Sequence, residues 1–384
     1  MELFPAVMIG GPPHSGKSVL TYSLTKALRE RNIAHYALRA YPDGEGDWSN
    51  ETSQDRVRRI RVKGKGTPEW VANICRDIDN RHLPLIIDVG GRPTDWQKAI
   101  FDHCTHAILL TPDEHTQSEW EAFAVEHSIQ IIAKLQSNLK GLDTVWSVKP
   151  ILRGQISGLE RGYTAQGTTF QKLLALLTNL FAYDPSELRA IHFSMIPVDL
   201  VLELNSLKQA LDPNSNPSTY WYPEELPQLL DYLPQNTSFA LYDRGPNWLY
   251  AALALHAYPA ELWQFDVRLG WVKPPRLEFA PLTDNSSVNT AVFPSTAFTR
   301  LELEIRASYL EYSEAMSLPV PALPSDHGVV LSGKLPLWLW TALVKMYHQH
   351  PWLAIYQPQF EHRAVIVASR VADKPVGSLV SVSS

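Results

Sequence analysis

The chain has 384 residues, 45% of them hydrophobic, and a formal net charge of −6 at pH 7. That length and apolar content suffice for more than one core, so two or three globular domains are expected. The acidic balance gives no overall attraction for duplex DNA, and a phosphate-bearing partner would have to be met by local basic groups.

The opening residues MELFPAVMIGG carry neither a basic leader nor an apolar run long enough to span a bilayer. No membrane partner is therefore expected, and the cytoplasm is the expected compartment. An apolar strand at Ala6–Ile9 runs through a tight loop into a helix in which Leu20, Leu24 and Leu28 recur at helical spacing. Between them lies Gly11-Pro-Pro-His-Ser15-Gly16-Lys17-Ser18, a complete G-x-x-x-x-G-K-S phosphate loop in the strand–loop–helix setting the motif needs. Gly11 and Gly16 let backbone N–H groups approach phosphate oxygens, with Ser15 inside the loop. Lys17 reaches the terminal phosphates, and the Ser18 hydroxyl ligates magnesium. The expected cofactor is ATP with Mg2+.

A second apolar strand, Leu85-Ile86-Ile87, ends at Asp88, where such folds place the acid that holds the magnesium ion. Further strands at 34–39, 107–111 and 129–135 alternate with helical stretches. This is the signature of an α/β fold with a mostly parallel sheet and its ligand at the carboxyl edge, and residues 1–185 read as a P-loop NTPase domain. Asp43, Glu45 and Asp47 lie among glycines after the second strand. They fit either a magnesium- or water-positioning loop or an ordinary exposed turn. Arg56, Arg58, Arg59, Arg61, Lys63 and Lys65 alternate with Val57, Ile60 and Val62. That run is either a half-buried strand with a solvated face or a stripe that contacts phosphate or another subunit. Cys75 and Cys104 are too far apart and too few for a disulfide framework or a zinc site, and Asp102-His-Cys-Thr-His106 lacks a ligand repeat.

Beyond about residue 190 the strand–helix alternation gives way to a duplication. PNWLYAALALH (246–256) sets against PLWLWTALVKM (336–346), so that Leu249, Ala252, Leu253 and His256 match Leu339, Ala342, Leu343 and Met346 as one core-facing helical stripe. Upstream, the period-two strand Val198–Leu204 sets against Thr299–Ile305. The polar stretch 281–296 divides the copies, and each carries a Pro-rich excursion, at 212–223 and at 316–328. The expected domains are 190–280 and 295–384, two small α+β units in tandem.

Arg244-Gly245-Pro246-x-Trp248-Leu249, followed after a helix by Asp266-x-Arg268-Leu269-Gly270, resembles the signature of the CRISPR-associated ring nuclease family of type III systems. Ser332-Gly333-Lys334-Leu335-Pro336-x-Trp338 is similar to the start of the same pattern. The resemblance covers about the last half of the chain, and the family includes forms fused to a P-loop, AAA-type domain. It implies a Mn2+-dependent phosphodiesterase that destroys a cyclic oligoadenylate RNA second messenger, cyclic tetra-adenylate in particular, in antiviral defence.

In that reading Asp266 binds the metal or orients the nucleophile, and Arg268 forks onto phosphate oxygens. Arg244, Gly245, Gly333 and Lys334 hold further phosphates. The second copy departs from the pattern, carrying Gln357 and Gln359 in place of the acid and the arginine. The family's histidine has no clean counterpart in the first copy, where Tyr258 falls nearby, whereas His348 and His350 flank its position in the second. His256 is either a packing or a catalytic histidine. The division of acid and histidines between the copies suggests one composite site, with the duplication standing in for a symmetric pair and a homo-oligomer expected. Two other readings remain: a sensor that binds the cyclic nucleotide without cutting it and gates the ATPase, and a P-loop small-molecule kinase.

Overall fold

Residues 4–41, 66–91, 95–211, 220–281, 287–306 and 310–382 are described in the computed structural model. The chain divides into two units: one runs to Ser194 and takes in the turn Val267–Gly270, and the other holds Met195–Asp266 and Trp271 onward.

The first unit begins with β1 (Ala6–Gly10), α1 (Lys17–Glu30), β2 (Tyr36–Arg39), α2 (Pro68–Asp79) and β3 (Leu85–Asp88). It continues through a 3-10 stretch at Asp95–His103, then β4 (His106–Thr111), α3 (Glu114–Glu126), β5 (Gln130–Asn138), β6 (Thr144–Ser147) and β7 (Leu152–Ser157), and closes with α4 (Thr168–Leu180) and α5 (Pro185–Phe193). The strands form a seven-stranded sheet in the order β2-β3-β1-β4-β5-β7-β6, parallel except where β6 returns beside β7. The α/β expectation and the strands foreseen at 34–39, 107–111 and 129–135 thus match β2, β4 and β5.

Helices cover both faces of this sheet, so its central strands are apolar on both sides. Val7, Ile9, Ile108 and Leu110 join α1 and α4 in one core, while Met8, Ile87, Ala107 and Leu109 join α2 and α3 in the other. The helix starts are set locally. Thr67 accepts from Trp70 N ahead of Pro68 and Glu69, Asp113 accepts from Thr116 N, and Asp184 accepts from Ser186 N. The acidic loop of Asp43, Glu45 and Asp47 and the basic run Arg56–Lys65 lie outside the described residues.

The second unit contains β8 (Val201–Glu203), α6 (Leu204–Leu211), a 3-10 turn at Pro223–Glu225, α7 (Leu226–Tyr232), β9 (Phe239–Tyr242), α8 (Asn247–Ala257), β10 (Leu262–Asp266) and β11 (Gly270–Val272). There follow β12 (Glu278–Phe279), β13 (Val288–Pro294), β14 (Phe298–Ile305), β15 (Pro319–Val320), β16 (Gly328–Gly333), α9 (Leu337–Met346), β17 (Trp352–Gln357), β18 (Arg363–Ser369) and β19 (Leu379–Ser381). Two sheets result, β11-β10-β9-β8 and β13-β14-β16-β17-β18-β19, with a small β12-β15 pair.

The duplication is visible in the pairing. β8, β9 and β10 run parallel, as do β14, β16 and β17, and α8 and α9 occupy the same crossover in each set. Register fixes the equivalences. Leu262, Trp263 and Gln264 pair with Phe239, Ala240 and Leu241, as Leu353, Ala354 and Ile355 pair with Val329, Val330 and Leu331. Continuing along both strands sets Asp266 against Gln357.

The upstream strand differs from the sequence alignment. Leu202 pairs with Leu241 and Leu301 with Leu331, so Leu202 is equivalent to Leu301 and not to Leu303. A slip of one full pleat keeps the same faces inward, and so it is invisible to a period-two pattern. The divider at 281–296 also differs, because Val288–Pro294 is an edge strand antiparallel to β14. α8 and α9 are not single stripes either. Trp248 to Ala254 and Trp338 to Val344 are buried without a break, because the helices pack on each other as well as on sheet. No helix among the described residues is long and apolar enough to cross a membrane.

Candidate functional site

In the first unit the chain leaves β1 into the loop at a buried strand end. Gly11 has φ 154°, and a Cβ there would collide with the Leu110 carbonyl oxygen. Gly16 has φ 91°, and a Cβ would meet that of Leu159 at 2.7 Å. Both positions therefore require glycine, by conformation and by space. α1 starts directly after Gly16 with no acidic residue in its first turn, so its positive end stays unneutralised next to the loop.

Lys17 Nζ donates to the carbonyls of Gly11 at 2.8 Å and Pro12 at 2.7 Å. Burial pushes its pKa down to about 8, opposed by the charge of Asp88. The Ser15 hydroxyl is buried and has no hydrogen-bond partner among the described residues. Ser18 Oγ donates to Asp88 Oδ2 at 2.8 Å, and Asp88 is 4% exposed at the end of β3. All six residues expected here, Gly11, Ser15, Gly16, Lys17, Ser18 and Asp88, converge at the carboxyl edge. Two others join them. Arg39 Nη2 donates to Ser18 Oγ at 3.2 Å, and Thr111 ends β4 with a buried hydroxyl that has no partner among the described residues. The arrangement offers an anion a glycine cradle, a lysine and an unpartnered hydroxyl, and offers a hard cation a hydroxyl beside a carboxylate.

In the second unit, the carboxyl ends of the parallel strands and the amino ends of α8 and α9 lie at one edge of each copy. Arg244 is exposed between β9 and α8, and Lys334 is exposed at the equivalent place between β16 and α9. The first turn is held by Asp243, whose carbonyl accepts from Tyr250 Oη at 2.7 Å and whose carboxylate accepts from Asn205 N at 3.1 Å. The second turns at Gly333, with φ 151°, where a Cβ would collide with the Leu303 carbonyl oxygen. Gly245 is less confined, because the atom nearest a Cβ would be the end of the Leu204 side chain, at 2.9 Å. Asp266 is half-buried at the end of β10, while its counterpart Gln357 is buried and donates through Nε2 to Asn247 Oδ1 at the start of α8. A second polar bond between the copies runs from Thr341 Oγ1 to Gln264 Oε1 at 3.3 Å.

The histidines lie elsewhere. His256, in the last turn of α8, meets the Leu233 carbonyl at 3.0 Å. His348 and His350 follow α9, and their Nδ1 atoms meet the carbonyls of Lys345 at 2.8 Å and His327 at 3.0 Å. This is the opposite edge of each copy, one helix length away, or about 15 Å for ten residues. Like edges of the two copies meet: Gln357 bonds Asn247 at one edge, and the His348 and Tyr258 rings are 4.7 Å apart at the other. The acid of the first copy and the histidines of the second are therefore not brought into one site within this unit.

Arg268 sits in the turn that groups with the first unit, and its Nε lies 3.4 Å from Asp77 Oδ2, a buried carboxylate on α2. Among the described residues no three acidic, histidine or cysteine side chains come close enough together to hold a metal ion. Asp266 belongs to no such group, so the described residues around it do not fit Mn2+. Cys104 is buried and its thiol pKa is pushed up to about 12, which fits an inert packing thiol.

Residues 303–381 match the family model described as CRISPR-associated protein (Cas_csx3). The match runs from within β14 to β19, which is the second copy, so this part of the chain is similar to CRISPR-associated proteins of that family.

Proposed function

We propose that the protein is a ring nuclease, one that opens a cyclic oligoadenylate messenger, cyclic tetra-adenylate in the first instance, and that ATP bound in the first unit regulates it. The observation that carries this reading is the paired edge of the second unit. Two equivalent turns each present an exposed cation before a helix amino end, Arg244 and Lys334, and the Gln357–Asn247 bond keeps the two edges together. A cyclic oligonucleotide repeats its phosphates around a ring, and a duplicated cationic turn meets two of them in the same way. The similarity of the second copy to CRISPR-associated proteins supports that class of ligand.

Asp266, at the same edge, orients the attacking hydroxyl, while Arg244 and Lys334 offset the charge that grows on phosphorus. His256, His348 and His350 face the opposite edge and reach an Asp266 only in another chain stacked head to tail, which the expected homo-oligomer would supply. In the first unit the glycine cradle, Lys17 and the unpartnered Ser15 hydroxyl fit a triphosphate, and Ser18 with Asp88 fits its Mg2+ ion. An ion held there would supply charge neutralisation to the phosphates.

A second reading, a sensor that holds the ring uncut, draws on Gln357. The equivalent of Asp266 is neutral there and already spent on Asn247. Labelled cyclic oligoadenylates of several ring sizes, incubated with the protein with and without ATP and divalent metal, separate the two. Linear products that disappear with Asp266→Asn support the nuclease. Tight binding with an intact ring supports the sensor, and neither binding nor cleavage removes both.

A further inference from the structure

Arg39 ends β2, where it pairs in register with Asp88 of β3, and Asp88 pairs in turn with Ile9 of β1. This strand order carries an arginine from outside the phosphate-loop motif to the corner beside it. There its Nη2 donates to Ser18 Oγ at 3.2 Å, and Ser18 Oγ donates to Asp88 Oδ2 at 2.8 Å. Lys17 is turned onto the loop's own carbonyls of Gly11 and Pro12. Arg39 is thus a second cation at the corner formed by the hydroxyl and the carboxylate.

We infer that Arg39 contacts the terminal phosphate of the bound nucleotide and so lets the protein tell a triphosphate from a diphosphate. The inference rests on the nucleotide reading of the loop Gly11–Ser18. A divalent ion held by Ser18 and Asp88 would use the Ser18 oxygen that Arg39 now holds and would repel the guanidinium. An ion held by Ser18 and Asp88 would draw the outermost phosphate of a triphosphate to this corner, beside Arg39. A planar guanidinium binds two phosphate oxygens at once, a geometry that a lysine does not reproduce. With a diphosphate the displaced guanidinium lacks that partner.

The test is calorimetric titration of the full chain with magnesium and either ADP or a non-hydrolysable ATP analogue. It uses wild type, Arg39→Ala, and Arg39→Gln, which keeps a donor for Ser18 but no charge. Both variants should lose affinity for the triphosphate by about tenfold or more, the worth of one charge-assisted contact, while diphosphate affinity changes less than about twofold. Equal losses for both nucleotides would show that Arg39 serves only the Ser18–Asp88 corner, and unchanged triphosphate affinity in Arg39→Gln would show that its charge is not used. Either result overturns the inference and leaves the nucleotide site standing. A wild-type protein that binds neither nucleotide overturns the site and the inference together.

Discussion

Nucleotide binding should depend on pH through Lys17. Burial lowers its pKa to about 8 from the model-compound value of 10.5. In the free protein the side chain is therefore about nine-tenths charged at pH 7 and about one-tenth charged at pH 9. A bound phosphate favours the ammonium, so above pH 8 binding must take up a proton, and affinity for ATP should fall about tenfold between pH 7 and pH 9. Lys17→Ala removes a charge-assisted contact worth roughly 1.5–3 kcal/mol, which weakens binding at pH 7 by about tenfold or more. It should also abolish the fall over this range.

The same shift sets the sign for stability without nucleotide. Between about pH 8 and 10.5 the unfolded chain holds the Lys17 proton and the folded protein releases it, so this group's contribution to stability rises with pH across that window. Calorimetry at pH 7, 8 and 9, in two buffers of different ionisation heat, reads both the affinity and the protons taken up. An affinity flat over that range, or a Lys17→Ala variant that keeps the tenfold fall, would refute the argument.

Three further substitutions test the second unit. Asp266→Asn should slow ring opening by about 10²–10⁴-fold, the range for loss of an acid–base group, measured on variant protein shown to be folded by its thermal transition. Gln357→Glu loses the donor to Asn247 Oδ1, an oxygen that also accepts from Trp248 N at 2.9 Å and so cannot turn away freely. Thermal unfolding should show a loss of about 1–3 kcal/mol. Thr341→Val takes the hydroxyl from Gln264, which is 2% exposed, and should cost about 1–3 kcal/mol by denaturant unfolding.

The strand–loop–helix around Gly11–Ser18 was legible because its residues are contiguous and the flanking strand and helix announce themselves by spacing. Asp88 was legible as the polar end of an apolar strand. Arg39 was not, because only the β2-β3-β1 order brings it to Ser18, and a single arginine ending a four-residue strand carries no local mark. The duplication showed in its helices, and the pairing of Asp266 with Gln357 agrees with the strand register. The upstream strand slipped by one pleat because alternation looks the same after two residues. Val288–Pro294 read as a polar divider because an edge strand exposes one face and one side to water. The composite site was not legible, because the histidines lie at the edge opposite Asp266. Sequence spacing puts them next to the matching slot of their own copy, and it carries nothing about whether like or unlike edges of two copies meet.

The most direct test of the account is product analysis of cyclic tetra-adenylate, labelled with phosphorus-32, after incubation with the full chain, with and without divalent metal and with and without ATP. The account predicts linear oligoadenylates, at a rate that ATP changes and that Arg244→Ala combined with Lys334→Ala lowers. A ring recovered intact at protein in excess, under every metal and nucleotide condition, would contradict it.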